Sequence, residues 1–287
     1  DSLLTVGETA TVSLVFSEAV FGFASAADIT DPSGTLAAMT SSDNISWTGT
    51  FTPNANTEEA NNTLSLATSW TDLAGNAGPS ETTTNYAIDT LAPVSSIVIS
   101  SATGIQNNFL NAGDNVSVTA TFNESVIVDT ASGTPTLTLV VGSSDRTATY
   151  TSGSGSNSLV FQYTIQAGET DDNGISIEAN VLALNSSTIK DAVLNNANLT
   201  HSAVSANSSY KVDTTLPTVS SVAITSAEGI QNNLLNAGDN VSVTATFSET
   251  VNVNTTNGTP TLTIVVGSDN RTATYASGSG SDDLVFR

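Results

Sequence analysis

The chain has 287 residues, 38% of them hydrophobic and 11% charged, with 27 Asp and Glu against five Lys and Arg. That apolar content is enough for packed cores, while a formal net charge of -22 leaves no basic patch for nucleic acid and repels anionic membrane surfaces. There is no cysteine, which excludes disulfides and thiolate metal sites, and no apolar run approaches the ~20 residues of a membrane-spanning helix.

In chain order, the first segment is "TVGETATVSLVFSEAV" at 5–20. Ala10, Val12, Leu14 and Phe16 alternate with polar residues, which predicts a half-buried strand. "SWTGTF" (46–51) alternates likewise, with Trp47 and Phe51 in phase and Phe51 expected in the core. The segment closes with "NYAIDTLAP" (85–93), read as a strand running into a short linker. Further strands are predicted at 97–101, 116–122, 135–141, 146–150, 159–165, 175–184 and 208–212. They are rich in Thr, Val, Ile and aromatics and separated by Gly, Asn, Asp and Ser. No stretch has the period of an amphipathic helix.

Self-similarity organises this series. "NAGDNVSVTATF" stands at 111–122 and again at 236–247, and the surrounding sequence repeats with a shift of 125 residues, Val94 falling on Val219. "GIQNN", "GTPTLT", "RTATY" and "LVF" recur in that register. The first copy diverges but keeps the order: Gly7 lies on Gly113, Glu8 on Asp114, Phe16 on Phe122 and Glu18 on Glu124. We therefore expect three domains, 1–90, 91–214 and 215–287, the first without its opening strand and the third without its C-terminal part. The linkers around Pro93 and Pro217 are very short, so neighbouring domains should nearly touch. About seven short strands per repeat is the pattern of an Ig-like β-sandwich. The expected fold class is all-β, tandem Ig-like β-sandwich domains in an extended array.

The pattern "GDNVSVTATFNESV … GTPTLTLVVG … AGETDDNG … YKVDTTLP" resembles the bacterial Ig-like repeats of very large surface adhesins, including biofilm-associated and type I-secreted proteins. The first copy is similar to a sister type through "WTGTFTP", "DLAGNAG" and "YAIDTLAP". The resemblance covers nearly the whole chain. It implies a stalk or spacer role at the bacterial cell surface, outside the cell, with calcium often held at domain junctions. It also implies partners of two kinds: neighbouring repeats of the same chain, and a host or matrix surface reached by domains outside this segment.

The acidic residues give that implication an arrangement. If the strands run alternately along a seven-stranded sandwich, the lower end of the second domain gathers Asp114, Glu169, Asp171 and Asp172 from its loops and Asp213 from its linker. The first domain repeats the layout with Glu8, Glu58, Glu59 and Asp89. The facing tops offer Glu124 or Glu249 from the loop after the 116–122 strand and its repeat, and Asp191 with Asn195 from the last loop; Asp239 repeats Asp114 in the third copy. Carboxylates within ~4–6 Å of one another repel, and a hard cation such as Ca²⁺ with about 6–8 oxygen ligands relieves that cost. The same residues also read as solvated turn formers, since Asp and Asn favour turns for local reasons. "ETDDNG" (169–174) begins like an EF-hand loop, but its twelfth position is Asn180, so a turn or a junction ligand is preferred.

Catalysis finds little support. His201 is the single histidine, sits in "NLTHSA" and reads as a surface polar residue. Acids that recur at repeat ends suit structure better than a unique active site. Two other classes of function remain open. One is a self-assembling filament, sheath or biofilm-matrix subunit, using the readiness of a sandwich edge to accept a strand. The other is a carbohydrate-binding or enzyme-appended module, reached through an exposed aromatic.

Overall fold

A computed structural model describes residues 2–287. The chain divides into two compact units, Asp1–Thr214 and Thr215–Arg287. The fold is all-β and Ig-like, with one four-residue helix at Ser25–Asp28.

The first unit holds two hydrophobic cores. The earlier one is built on Phe51, Ile88, Leu4, Leu64 and Trp70. Its strand Ala10–Val15 pairs antiparallel with Ser46–Pro53, which carries Gly34–Leu36 on its other side. A second layer joins Leu3–Thr5 in parallel to Tyr86–Asp89, which pairs in turn with Glu58–Asn62. Trp47 is half-buried and packs edge-on against Phe23 with ring centroids 4.9 Å apart.

The later core centres on Val116, Val118, Ala120, Phe122 and Phe161, all fully or almost fully buried. The alternation seen in the sequence puts these residues on the inner face of strand Asn115–Asp129. That strand lies between Ser95–Thr103 and Ser156–Thr164, and the sheet continues through Ser144–Ser152 and Thr136–Val141 to Leu182–Ala183. A small second sheet repeats the parallel pairing of the first domain, with Phe109–Leu110 on Lys211–Asp213, and Thr170–Asp171 beyond.

Two departures from the sequence reading bear on function. The strand expected to stop at 122 runs on to Asp129. Its register shifts between Thr121 and Val126, and it then leaves the main sheet to pair with Thr188–Lys190. Glu124 therefore sits at a bulge inside a strand and not in a loop, and a bulge re-aims its side chain. The strand expected at 175–184 is broken, because Asn180 takes a left-handed φ of 60°; only isolated bridges at Ser176 and Ile177 and the short Leu182–Ala183 pair remain.

The second unit repeats the five-stranded order: Val219–Glu228, Asn240–Val251, Ser281–Phe286, Asp269–Ser277, Thr261–Val266. Its core is small, Ala245, Ala273, Leu284 and Phe286. Ile165, Ile175, Ile177, Ile189 and Val212 supply the opposing layer in the preceding domain, and that layer has no counterpart among the described residues of this unit. Ile224 is accordingly exposed.

Removing a fully buried aromatic leaves a cavity that the sheet cannot close. Phe161→Ala should cost about 3–5 kcal/mol. Both tryptophans, Trp47 and Trp70, lie in the first domain, so chemical denaturation followed by circular dichroism should move to lower denaturant much further than the fluorescence transition does.

Candidate metal centre

The linker after the first core begins with Asp89 and Thr90. Thr90 turns back. Its backbone N–H bonds Thr57 O at 2.8 Å, while its hydroxyl donates to Asn54 O at 2.7 Å and accepts from Thr57 N–H at 3.0 Å. Asp89 faces the second domain, where the Asn195 amide donates to its backbone oxygen at 3.1 Å and to Oδ1 at 3.3 Å. Asn195 Oδ1 also accepts the Val6 N–H at 3.3 Å. Three residues later Pro93 O accepts Asn198 N–H at 2.7 Å, so the chain is already part of the second domain.

Asn195 is held for this task. It belongs to a tight loop in which Asp191 Oδ1 accepts the Asn195 N–H at 2.8 Å, Asp191 Oδ2 accepts the Asn195 amide at 2.8 Å, and Asp191 N–H reaches Asn195 O at 3.1 Å. Leu194 takes a φ of 74° to close the turn, a conformation that a non-glycine side chain rarely adopts. Asp191 is 1% exposed and Asn195 4%.

Glu124 completes the group. One carboxylate oxygen each from Asp89, Glu124 and Asp191 lie within 4.8 Å of one another. Glu124 Oε1 is buried and has no hydrogen-bond partner among the described residues. Burial, and then the charges of Asp191, Asp89 and Glu58, push the Glu124 carboxyl up from 4.5 to about 7. Asp89 moves the same way, raised by burial and by Asp191 and Glu58, with the Leu91 N–H working against the shift. The donor set is all oxygen, contributed by linker, strand bulge and loop, and its repulsion is uncompensated by any cationic side chain in the group. These features fit a hard divalent cation.

The other sequence-predicted acids are employed elsewhere. Asp114 Oδ2 accepts the Asn111 N–H at 2.7 Å, Asp239 Oδ2 accepts the Asn236 N–H at 2.6 Å, and Glu8 Oε2 accepts the Thr5 N–H at 2.9 Å. All three close the same turn, whose glycine (Gly113, Gly238, Gly7) has a positive φ. Glu169 is buried in an ion pair with Arg146 and also accepts the Tyr163 hydroxyl at 2.5 Å. Asp171 is buried between the N–H groups of Gly142 and Gly174, each at 2.8 Å. Asp172 is exposed. Glu58 and Glu59 lie in a strand and not in the expected loop; Glu58 stands opposite Asp89 and Glu59 opposite Ile88, so successive side chains face apart. Asp213 ends the strand Lys211–Asp213, and in the second unit Glu249 Oε1 is buried without a partner among the described residues, as Glu124 Oε1 is. His201 is not at the surface. It is buried, its Nε2 accepts the Val181 N–H at 3.0 Å, and its Nδ1–H donates to Ser202 O at 2.9 Å.

Sequence reasoning missed the threonines of the linkers. Thr214 repeats Thr90, donating to Glu169 O at 2.9 Å and accepting from Gly168 N–H at 2.8 Å. The signal was present: both linkers read Asp-Thr.

Two outcomes are expected. Asn195→Ala strands the Asp191 and Asp89 oxygens and the Val6 N–H, and should cost the first unit about 1–3 kcal/mol, read by denaturation and by faster amide exchange at Val6. The second concerns pH. A carboxyl raised in the folded state contributes stability that is fully present below its unfolded value of 4.5 and is lost as pH rises through about 7. Asp72 and Asp43 are lowered by hydrogen bonds from Asn76 and from Ser46 and titrate below 3.8, outside this window. In chelator the unit should thus unfold more easily at pH 8 than at pH 5, and Glu124→Gln should flatten the difference in a pH series followed by circular dichroism.

Residues 1–88 match the family model described as a bacterial Ig-like domain, a non-catalytic type of fold. No curated protein matches the chain. The sandwich topology of that first domain agrees with the match, which spans its strands from Leu3–Thr5 into Tyr86–Asp89.

Proposed function

We propose that the chain is an extender segment of a large bacterial cell-surface adhesin, working outside the cell, with calcium at the junction between its first two domains. The observation that carries this reading is the Glu124 carboxylate, which buries an oxygen without a partner among the described residues and is grouped within 4.8 Å with oxygens of Asp89 from one domain and Asp191 from the next. A mechanical spacer needs domains that do not swing freely. Thr90 and Asn195 restrain the linker from both sides, and the three carboxylates would hold the ion between them. Bound calcium supplies positive charge that converts their repulsion into attraction. Asp89 and Glu124 must be ionised to take part, and Asp191 is kept in place by its bonds to Asn195.

The ion then competes with the proton on Glu124. At pH 7 calcium binding should release about half a proton from a carboxyl that titrates near 7, and almost none two units higher. Calorimetry in buffers of different ionisation enthalpy measures this. The wider test is thermal unfolding of the whole chain in calcium and in chelator. An ion present at ~100 times its dissociation constant adds about 2.7 kcal/mol, about 5–10 °C for a unit of this size. Glu124→Ala and Asp89→Asn should abolish the difference. Equal midpoints in calcium and chelator for the unaltered protein would sink the calcium reading.

A further inference from the structure

The loop that grips the linker at the junction occurs a second time, uncovered. In the first domain Asp72 Oδ1 accepts the Asn76 N–H at 2.8 Å, Asp72 Oδ2 accepts the Asn76 amide at 2.7 Å, and Asp72 N–H reaches Asn76 O at 2.9 Å. These are the bonds of Asp191 and Asn195, and Gly75 takes the positive φ of Leu194. The flanking pairs agree: Thr71 bridges Ala77 as Lys190 bridges Asn196, and Phe21 lies opposite Thr71 as Ile127 lies opposite Lys190. Glu18, the counterpart of Glu124 in the sequence repeat, shares a cleft of about 240 Å³ with Asp72 and Asn76. Asn195 is buried under the Asp89 linker, whereas Asn76 is exposed.

A second surface lies along the strand that precedes Glu18, Ala10–Val15. In the second domain the chain leaving the linker becomes strand Ser95–Thr103, which pairs along Asn115–Phe122 and places Ile97 opposite Ala120 and Ile99 opposite Val118. The equivalent strand of the first domain, Ala10–Val15, pairs only with Ser46–Pro53 among the described residues. Clefts of about 490 and 170 Å³ open beside it, the larger of mixed polarity and the smaller mainly apolar, with Leu4, Val12, Leu14, Leu64 and Leu66 in their walls. One continuous segment, residues 88–103, covers both surfaces in the second domain.

We infer that the first domain has a receiving surface for an extended segment of the same chemistry, an Asp-Thr-x-x-Pro linker followed by a strand with alternating isoleucines. The linker aspartate meets Asn76, and the strand adds antiparallel to Ala10–Val15. This extends the junction reading to a second place in the chain but does not depend on the cation.

The probe is a synthetic peptide with the sequence of residues 88–103, added to the full chain and followed by amide exchange and tryptophan fluorescence. Protection of both 10–15 and 71–77, with a rise of several degrees in the fluorescence melt, is the expected result. The Asp89→Ala peptide should protect 71–77 at least tenfold less. The same sequence tethered ahead of the chain by a flexible linker covers poor solubility of the free peptide. Unchanged exchange with the tethered segment overturns the inference, and so does protection of 10–15 alone, since the Asp72–Asn76 loop is then no part of the surface. Running both forms in calcium and in chelator separates the two proposals. Protection in chelator, with exchange at 191–195 indifferent to calcium, supports the surface and removes the calcium reading. No protection, with 191–195 slowed by calcium, does the reverse.

Discussion

Two adjacent linker side chains carry the coupling between the first two domains. Thr90 bonds back to the 54–57 turn of its own domain and Asp89 bonds forward to Asn195 of the next. A linker so short has little slack, and each bond removes a rotation that it would otherwise have. Asn195 can do this because Asp191 fixes both its backbone and its amide. The buried charge at the junction is thus first a positioning device. Its cost is the crowding of Asp191 with Asp89 and Glu124, which shows in the raised carboxyl of Glu124.

The acidic residues divide by what they face. Asp114, Asp239 and Glu8 each accept an N–H three residues back and close a turn. That use also explains why Glu can replace Asp there: either side chain reaches the same N–H, and only the glycine beside it is constrained by its positive φ. Glu169 and Asp171 are buried but satisfied, one by Arg146 and Tyr163 and the other by two backbone N–H groups. Glu124 and its repeat Glu249 differ because each buries an oxygen that has no hydrogen-bond partner among the described residues, and Glu124 does so beside Asp89 and Asp191. An unsatisfied buried acceptor is costly, and in a tandem protein a cation is an economical way to remove that cost at the place where rigidity is wanted.

The same sequence of elements produces surfaces with different fates. In the second domain the segment from Asp89 to Thr103 covers the Asp191–Asn195 loop and the edge of Asn115–Phe122. In the first domain the matching loop forms the same bonds, and among the described residues no strand pairs with the matching edge. Four bonds within Asp72–Asn76 hold that loop together, the fourth being from Gly75 N–H to Asp72 O at 3.2 Å. Preformed receptors of this kind spend little ordering entropy when they dock.

The amino-acid sequence by itself determined the repeat, the inward faces of the strands and the family likeness. Period-two alternation and a 125-residue shift survive any detail of packing. It also pointed to Asp89, Glu124, Asp191 and Asn195, through their places near domain ends. It did not separate them from Asp114, Glu169 or Asp171, because a carboxylate looks the same whether it caps a turn, pairs with an arginine or faces two other acids. Only the tertiary structure decided that, through the register shift that turns Glu124 aside from the main sheet and the break at Asn180 that ends the expected strand. His201 shows the same limit. Nothing in "NLTHSA" says that its ring is buried against Val181 and Ser202, since those bonds depend on how the 180 and 201 loops meet.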